Sequence, residues 1–221
     1  MDLVESILNR RSIRNFKPDP VSVETITRLI EISRWSPSGS NTQPWEFIVL
    51  GSGVLEEVKK RIADSAKSGA DHPDIPYPPM PEPYISRQKA VGKAMQTYLQ
   101  NFGTDNTANI KPDPRTSAAN FFGAPVGIVV CVDKEISPRA FLGLGMVAQT
   151  LCLAAMDFGL GTCIMSMMTY HPQVLREMFG IPDSKIIAFG IALGYPDFDA
   201  RINNFPRTRE PLDSFVTWRG L

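Results

Sequence analysis

Between residues 10 and 16 the chain reads Arg10-Arg11-Ser12-Ile13-Arg14-Asn15-Phe16, which places three guanidinium groups and a hydroxyl within five residues. That combination suits a phosphate. Each guanidinium offers a planar fork of donors that meets two phosphate oxygens at once, and the serine adds a short neutral bond. A plainer use of the same side chains is to complement a helix dipole, because Leu3, Ile7 and Leu8 precede them at helical spacing. A second basic pair, Arg207 and Arg209, stands in the tail Asn204-Phe205-Pro206-Arg207-Thr208-Arg209. In an extended chain both would point the same way.

Other chemistries lack their residues. His72 and His171 are about a hundred positions apart and supply neither a metal site nor a Ser-His triad. His171, just before Pro172, reads as a helix cap. The spacing of Cys131, Cys152 and Cys163 matches no zinc or redox motif, and their apolar settings predict buried thiols in a reducing compartment. Gly159-Leu160-Gly161 lacks the Lys-Ser/Thr of a nucleotide-phosphate loop. Anion-binding clusters with few side-chain acids or bases fit an enzyme whose reactive atoms belong to a bound cofactor, with no metal.

Charge narrows the partners further. Lys plus Arg and Asp plus Glu both number 23, so the net charge is zero and the basic residues act locally. Nucleic acid and anionic membrane are therefore excluded as partners, since both require an excess of positive charge. The longest apolar stretch, Phe141 to Met156, is interrupted by Gln149 and is too short to span a bilayer, and the N-terminus carries no signal pattern. The expected location is the cytoplasm.

Positioning these residues falls to a single domain over 1–221 with a long insertion at about 67–116. A short helix over 2–9 leads into the first Arg cluster. Ser22 opens a second helix whose apolar positions Val23, Ile26, Leu29, Ile30 and Trp35 fall at helical spacing, and Pro37 ends it. The polar loop Ser36 to Pro44 then runs directly into a strand, Trp45 to Leu50, so it is held between two regular elements. Val54 to Ala66 reads as helix. The prolines from Pro73 to Pro83 impose extended chain that wraps a surface, Ile85 to Phe102 returns to helical spacing, and 103–115 is loop.

The second half supplies the core. Pro125 to Val132 is a continuous apolar run, hence a strand buried on both faces. Ser137-Pro138 starts a helix to about Phe158, apolar most of the way round, with Gly159 as its stop. One chain of this size does not enclose such a helix, which predicts a second copy and a homodimer. Gly161 to Met165 and Lys185 to Leu193 are further strands, with a short helix over Pro172 to Phe179. Imperfect alternation of helix and strand, with no glycine fingerprint after any strand, indicates an α+β fold rather than a Rossmann unit.

Four ordered stretches resemble the motifs of the FMN-dependent nitroreductase family: residues 10–16, Ser36-Pro37-Ser38-Gly39-Ser40-Asn41-Thr42-Gln43-Pro44-Trp45, Gly159-Leu160-Gly161-Thr162, and Arg207-x-Arg209-x-Pro211-Leu212. The resemblance spans nearly the whole chain. It implies a central mixed, mainly antiparallel sheet flanked by helices in an intertwined homodimer, with FMN at each end of the interface. Arg10, Arg11, Ser12 and Arg14 would then contact the phosphate, ribityl chain and pyrimidine edge, with Arg207 and Arg209 closing on the phosphate. Pro37, Ser38, Gly39 and Asn41 would reach the ring from the partner. Met165 and Ser166 would lie near the flavin N5, where Ser166 is the candidate donor, although many members carry glycines at the positions of Ser166-Met167. Asn120 is a further candidate contact.

The implied activity is ping-pong, two-electron transfer from NADH or NADPH to a nitroaromatic or similarly electron-poor acceptor. No side chain is assigned as an indispensable acid or base. A reductive dehalogenase resembling iodotyrosine deiodinase is the alternative within the scaffold. Glu82, Tyr84, Lys89 and Lys93 supply its residue types without its spacing. A non-catalytic flavin-binding protein is the alternative from another class.

Overall fold

A computed structural model describes residues 2–67, 69, 72–102 and 119–220. Four strands, β1 (Glu46–Gly51), β2 (Val126–Asp133), β3 (Gly161–Met165) and β4 (Lys185–Gly194), form an open sheet in the order β1-β2-β4-β3. Every ladder between them is antiparallel. Among the described residues, the parallel element expected of a mixed sheet is an isolated bridge between Ser12 and Thr162. The six helices among the described residues are α1 (Leu3–Asn9), α2 (Val23–Ser33), α3 (Ser52–Lys67), α4 (Glu82–Phe102), α5 (Ala140–Asp157) and α6 (Pro172–Phe179).

The sheet is the middle layer. On one face Leu55, Val58 and Ile62 of α3 and Val174 and Leu175 of α6 pack against Val129, Cys131 and Ile187. On the other, Ile26 and Leu29 of α2 and Leu144, Ala148, Leu151 and Ala155 of α5 pack against Ile128, Val130 and Val132. Strand β2 therefore contributes alternate side chains to both cores, which is why its sequence shows no polar alternation. All three thiols are buried. Burial pushes Cys131 up to about 11 and raises Cys152 and Cys163 as well, so none is a thiolate nucleophile.

Local signals explain most helix ends. Asp2 caps α1 by accepting from Val4 and Glu5, and the Ser22 hydroxyl accepts from the Thr25 amide at the start of α2. Gly159, at φ +69°, turns the chain after α5 in a conformation that suits glycine. Two expectations change. Helix α2 stops at Ser33, so Trp35 lies beyond it, 83% exposed, and packs in no core. Helix α5 begins at Ala140, because Ser137 and Pro138 form a preceding turn whose carbonyls accept from Ala140 and Phe141. As expected of a helix that one chain does not enclose, α5 leaves Leu142 and Met146 exposed.

His171 stands at the cap position of α6 without capping it through its side chain. Its Nδ1 lies 3.0 Å from the Ser65 hydroxyl instead, joining α6 to the end of α3. In the insertion, α4 is helical from Glu82 and the proline-rich stretch 72–81 holds neither helix nor strand. Residues 103–118, read above mostly as loop, lie outside the described residues.

Candidate active site

Phe16 and Ile13 anchor the N-terminal segment by burial in the first core cluster, and the Ile13 amide donates to the Thr162 carbonyl at 2.9 Å. On either side of Ile13, alternation along this extended segment leaves Ser12 and Arg14 half-buried rather than in the core. Contact at this seam is close. A Cβ on Gly161 would meet Ile13 Cγ1 at 2.5 Å, so glycine is needed for the segment to lie against β3. Helix α1 ends just before it, with the Arg10 amide bonded to the Ser6 carbonyl.

The C-terminal loop is stitched to the same segment by Asn203, which is 1% exposed. Its Oδ1 accepts from the Arg14 amide at 2.7 Å, and its Nδ2 donates to the carbonyls of Asn15 and Asp197, each at 2.7 Å. Asn15 in turn donates to the Asp197 carboxylate at 2.8 Å. Arg11 donates to the Phe205 carbonyl at 2.8 Å, and the Arg14 guanidinium stands 5.8 Å from the centre of the Phe205 ring. These contacts bring the two ends of the polypeptide side by side.

Between them is a cavity of about 160 Å³. It is lined by Arg10, Arg11, Ser12 and Arg14 from one end, Phe205 to Arg209 from the other, and Val91 and Ala94 of α4. Five guanidinium groups thus share one small volume. Burial above all, then repulsion by Arg11, Arg209 and Arg10, lowers the pKa of Arg207. Burial likewise lowers that of Arg11; Tyr98 opposes the shift and Arg14 adds to it. A compact dianion relieves both effects, and a phosphate ester is the ligand whose geometry matches such forks.

Arg207 has a structural role beside lining the cavity. Its guanidinium donates to the carbonyls of Arg10 and, at 2.9 Å, Leu8, closing the C-terminal end of α1. It therefore buttresses the cluster as well as lining it, and the helix-dipole use of a basic residue is realised here by a cation from the opposite terminus.

The remaining expected residues lie elsewhere. Pro37, Ser38, Gly39 and Asn41 do not line the Arg cavity of their own chain. They occupy a tight loop with Ser40, Asn41 and Gln43 all at positive φ, secured by Gln43 donating to the Ser38 hydroxyl and by Ser36 donating to Thr150 of α5. Contact with α5 is direct, since a Cβ on Gly143 would meet Ser38 Cβ at 3.4 Å. Non-glycine residues held at positive φ mark a loop kept in shape by its surroundings. Asn120 precedes a second such turn, where Phe121 and Phe122 have φ of 50° and 54°. Met165 is buried at the end of β3, and the Ser166 carbonyl accepts from the Thr169 amide and hydroxyl. Sequence reasoning missed Asn203, Phe205, Val91 and Ala94 as site residues, because the contacts that place them there are long-range.

The family model that matches this architecture, over residues 7–195, is that of the nitroreductase family. The chain belongs to that family. It is similar to a 4-nitrobenzoate reductase of Pseudomonas putida, at 32% identity over 97% of this chain and 94% of the relative. A second 4-nitrobenzoate reductase, from Nocardioides sp., is 33% identical over 96% of this chain and 87% of its own. The crystal structure of an FMN and NADPH-dependent nitroreductase from Sphigopyxis sp. strain HMH matches at a TM-score of 0.90 and 27% identity, covering 100% of both chains. An iodotyrosine deiodinase of Nematostella vectensis is more distant, at 24% identity over 97% of this chain and 74% of its length.

Because Asn203 holds both termini at once, Asn203→Ala in this nitroreductase takes the side-chain partner from the Arg14 amide and the Asp197 carbonyl, while the Asn15 carbonyl keeps only the Asp197 amide at 3.2 Å. Each orphaned group costs about 1–3 kcal/mol. The expected outcome is a clear fall in thermal midpoint and an FMN affinity weakened at least tenfold, read by fluorescence titration. Wild-type affinity in the variant would show that the stitch does not shape the cavity.

Proposed function

We propose that this chain is an FMN-dependent oxidoreductase that moves two electrons from NADH or NADPH to nitroaromatic or similarly electron-poor acceptors, working as a homodimer in the cytoplasm. The observation that carries the reading is the convergence of Arg10, Arg11, Arg14, Arg207 and Arg209 on one cavity. Relatives named for nitrobenzoate reduction, and a structural neighbour named for FMN and NADPH, support the chemistry.

In this reading Arg10, Arg11, Ser12, Arg14 and Arg209 hold the phosphate and ribityl portion, and Arg207 keeps the cluster in place through the α1 carbonyls. Bound FMN supplies a two-electron centre that a nicotinamide reduces and an acceptor oxidises. The concentrated positive charge favours electron uptake at that centre. Ser166 and Met165, at the end of β3, meet the N5 edge, and Asn120 adds a polar contact. Pro37, Ser38, Gly39 and Asn41 approach from the partner, which accounts for their absence from their own chain's cavity. Positioning and electrostatics account for the catalysis, so no acid or base side chain is required.

A dimer also accounts for the exposed apolar surface. Leu3, Val4, Ile7 and Leu8 of α1 are each at least half exposed, as are Leu142 of α5 and Leu212, Phe215 and Trp218 of the tail. A helix that shows its apolar residues to water requires a cover, and loss of that cover would also remove the partner's loop from the flavin. Reduced, buried thiols agree with the cytoplasm.

Anaerobic addition of NADPH or NADH should bleach the visible flavin bands, and 4-nitrobenzoate should then restore them. Bleaching without reoxidation by nitroarenes, accompanied by halide release from halotyrosine, would favour the dehalogenase; no bleaching with either nucleotide would favour a redox-silent flavin binder. The particle mass in solution should be twice the 24.5 kDa of the chain. Leu8→Glu should yield monomers that lose FMN. Monomeric wild type with full FMN content would refute the shared site.

A further inference from the structure

Strand β4 pairs with β2 from Lys185 to Leu193, with a bulge at Ala188, yet β3 accompanies it only from Gly190 to Gly194. The first half of β4 is thus left as an open edge. Its backbone groups are satisfied by a buried ion pair. Asp74 Oδ2 accepts from the Ile187 amide at 2.8 Å, and Arg176 Nη2 donates both to Asp74 Oδ2 at 2.7 Å and to the Lys185 carbonyl at 2.9 Å. The two side chains are only 11% and 7% exposed, and Arg176 also reaches the Pro182 carbonyl and the exposed carboxylate of Asp183. Removing one member of such a pair leaves an uncompensated buried charge, so the geometry is strongly specified.

Asp74 belongs to the proline-rich strap over 72–81, and three residues further on the Tyr77 ring stacks on Tyr170, with centroids 5.0 Å apart and planes 3° from parallel. Tyr170 closes the turn that begins directly after Ser166. At its other end the strap leads into α4, none of whose residues from Glu82 to Asn101 is buried, although Val91 and Ala94 line the Arg cavity. A helix without a buried residue does not fix its own height above a site. Something outside it must do so: besides the strap, α4 meets residues 201–203, Tyr98 stands near Arg11, and Arg87 forms an exposed pair with Glu210 at 3.6 Å.

We propose that Asp74 is a positioning residue for the acceptor site: its buried pair with Arg176 pins the strap to the open edge of β4 and thereby sets Tyr77 and α4 over the flavin cavity. This rests on the proposed oxidoreductase function. Through the strap, the pair governs how well an aromatic acceptor is held, and it leaves the Arg cluster that retains FMN untouched.

Three readouts on the FMN-loaded protein test it, using Asp74→Asn, Tyr77→Leu and the double variant. Chymotryptic cleavage after Tyr84, at the start of α4, should accelerate at least tenfold in Asp74→Asn, with FMN content unchanged. The KM for 4-nitrobenzoate should rise at least fivefold, by more than kcat falls. Tyr77→Leu should raise it in the same direction, and the double variant should show less than the product of the single effects, because both act through one strap. A lowered thermal midpoint in Asp74→Asn with wild-type cleavage and KM would overturn the proposal by showing a purely structural pair. Should Asp74→Asn fail to fold, Tyr77→Leu decides, since that side chain is half exposed; a wild-type KM there overturns the proposal equally. Wild-type protein without nitroarene turnover would count against the functional reading alone, while the cleavage arm would still report on the anchor.

Discussion

Mutual repulsion among the guanidinium groups of Arg10, Arg11, Arg14, Arg207 and Arg209 is the constraint around which the two ends of this chain are arranged. Placing five like charges about one cavity of about 160 Å³ is unfavourable without an anion; burial above all, with a smaller share from neighbouring guanidinium groups, lowers the pKa of Arg207 and of Arg11. The opposing forces are hydrogen bonds and burial. Asn203 binds the backbone on both sides, Arg207 donates to the end of α1, and Ile13 and Phe16 are buried beneath. The result is a preorganised anion site whose stabilisation is completed by its ligand, a reason for such a protein to retain its cofactor.

The sheet lets both termini reach this place. Because β3 lies at the edge, its first residues are free to take the Ser12 bridge, and β4 delivers the chain to Asn203 soon after its last residue. The opposite face carries α2 and α5, with the loop of Ser38 to Asn41 braced on Gly143. A single chain thus presents half of the proposed flavin environment at its Arg cavity and the other half on a separate surface. Under the proposed function these halves meet only across a two-fold interface.

Much of this was legible in the residues. Hydrophobic spacing located the four strands and the helices α2, α3, α5 and α6 to within a few positions, and the unbroken apolar run of β2 announced a strand covered on both faces. Local chemistry misled where a turn resembled a helix start: Ser137-Pro138 has the right order of residues but precedes α5, and Trp35 has the right spacing but follows the end of α2. Long-range partners were invisible. Nothing near Asn203 indicates that it binds residues almost 190 positions earlier, and nothing near Asp74 predicts Arg176. Such pairs depend on which strand edge the sheet leaves open, a property of the assembled topology rather than of any segment.

The dependence of binding on phosphate is the central claim, and comparing FMN with riboflavin tests it directly. The two ligands share the ring and the ribityl chain and differ only in the group assigned to the Arg cluster. Fluorescence titration of the apoprotein should show FMN binding at least about a hundredfold more tightly than riboflavin, equivalent to roughly 2.7 kcal/mol from charge-assisted bonds to the phosphate. Equal affinity for the two flavins would contradict the account, since the guanidinium cluster would then have no part in holding the cofactor.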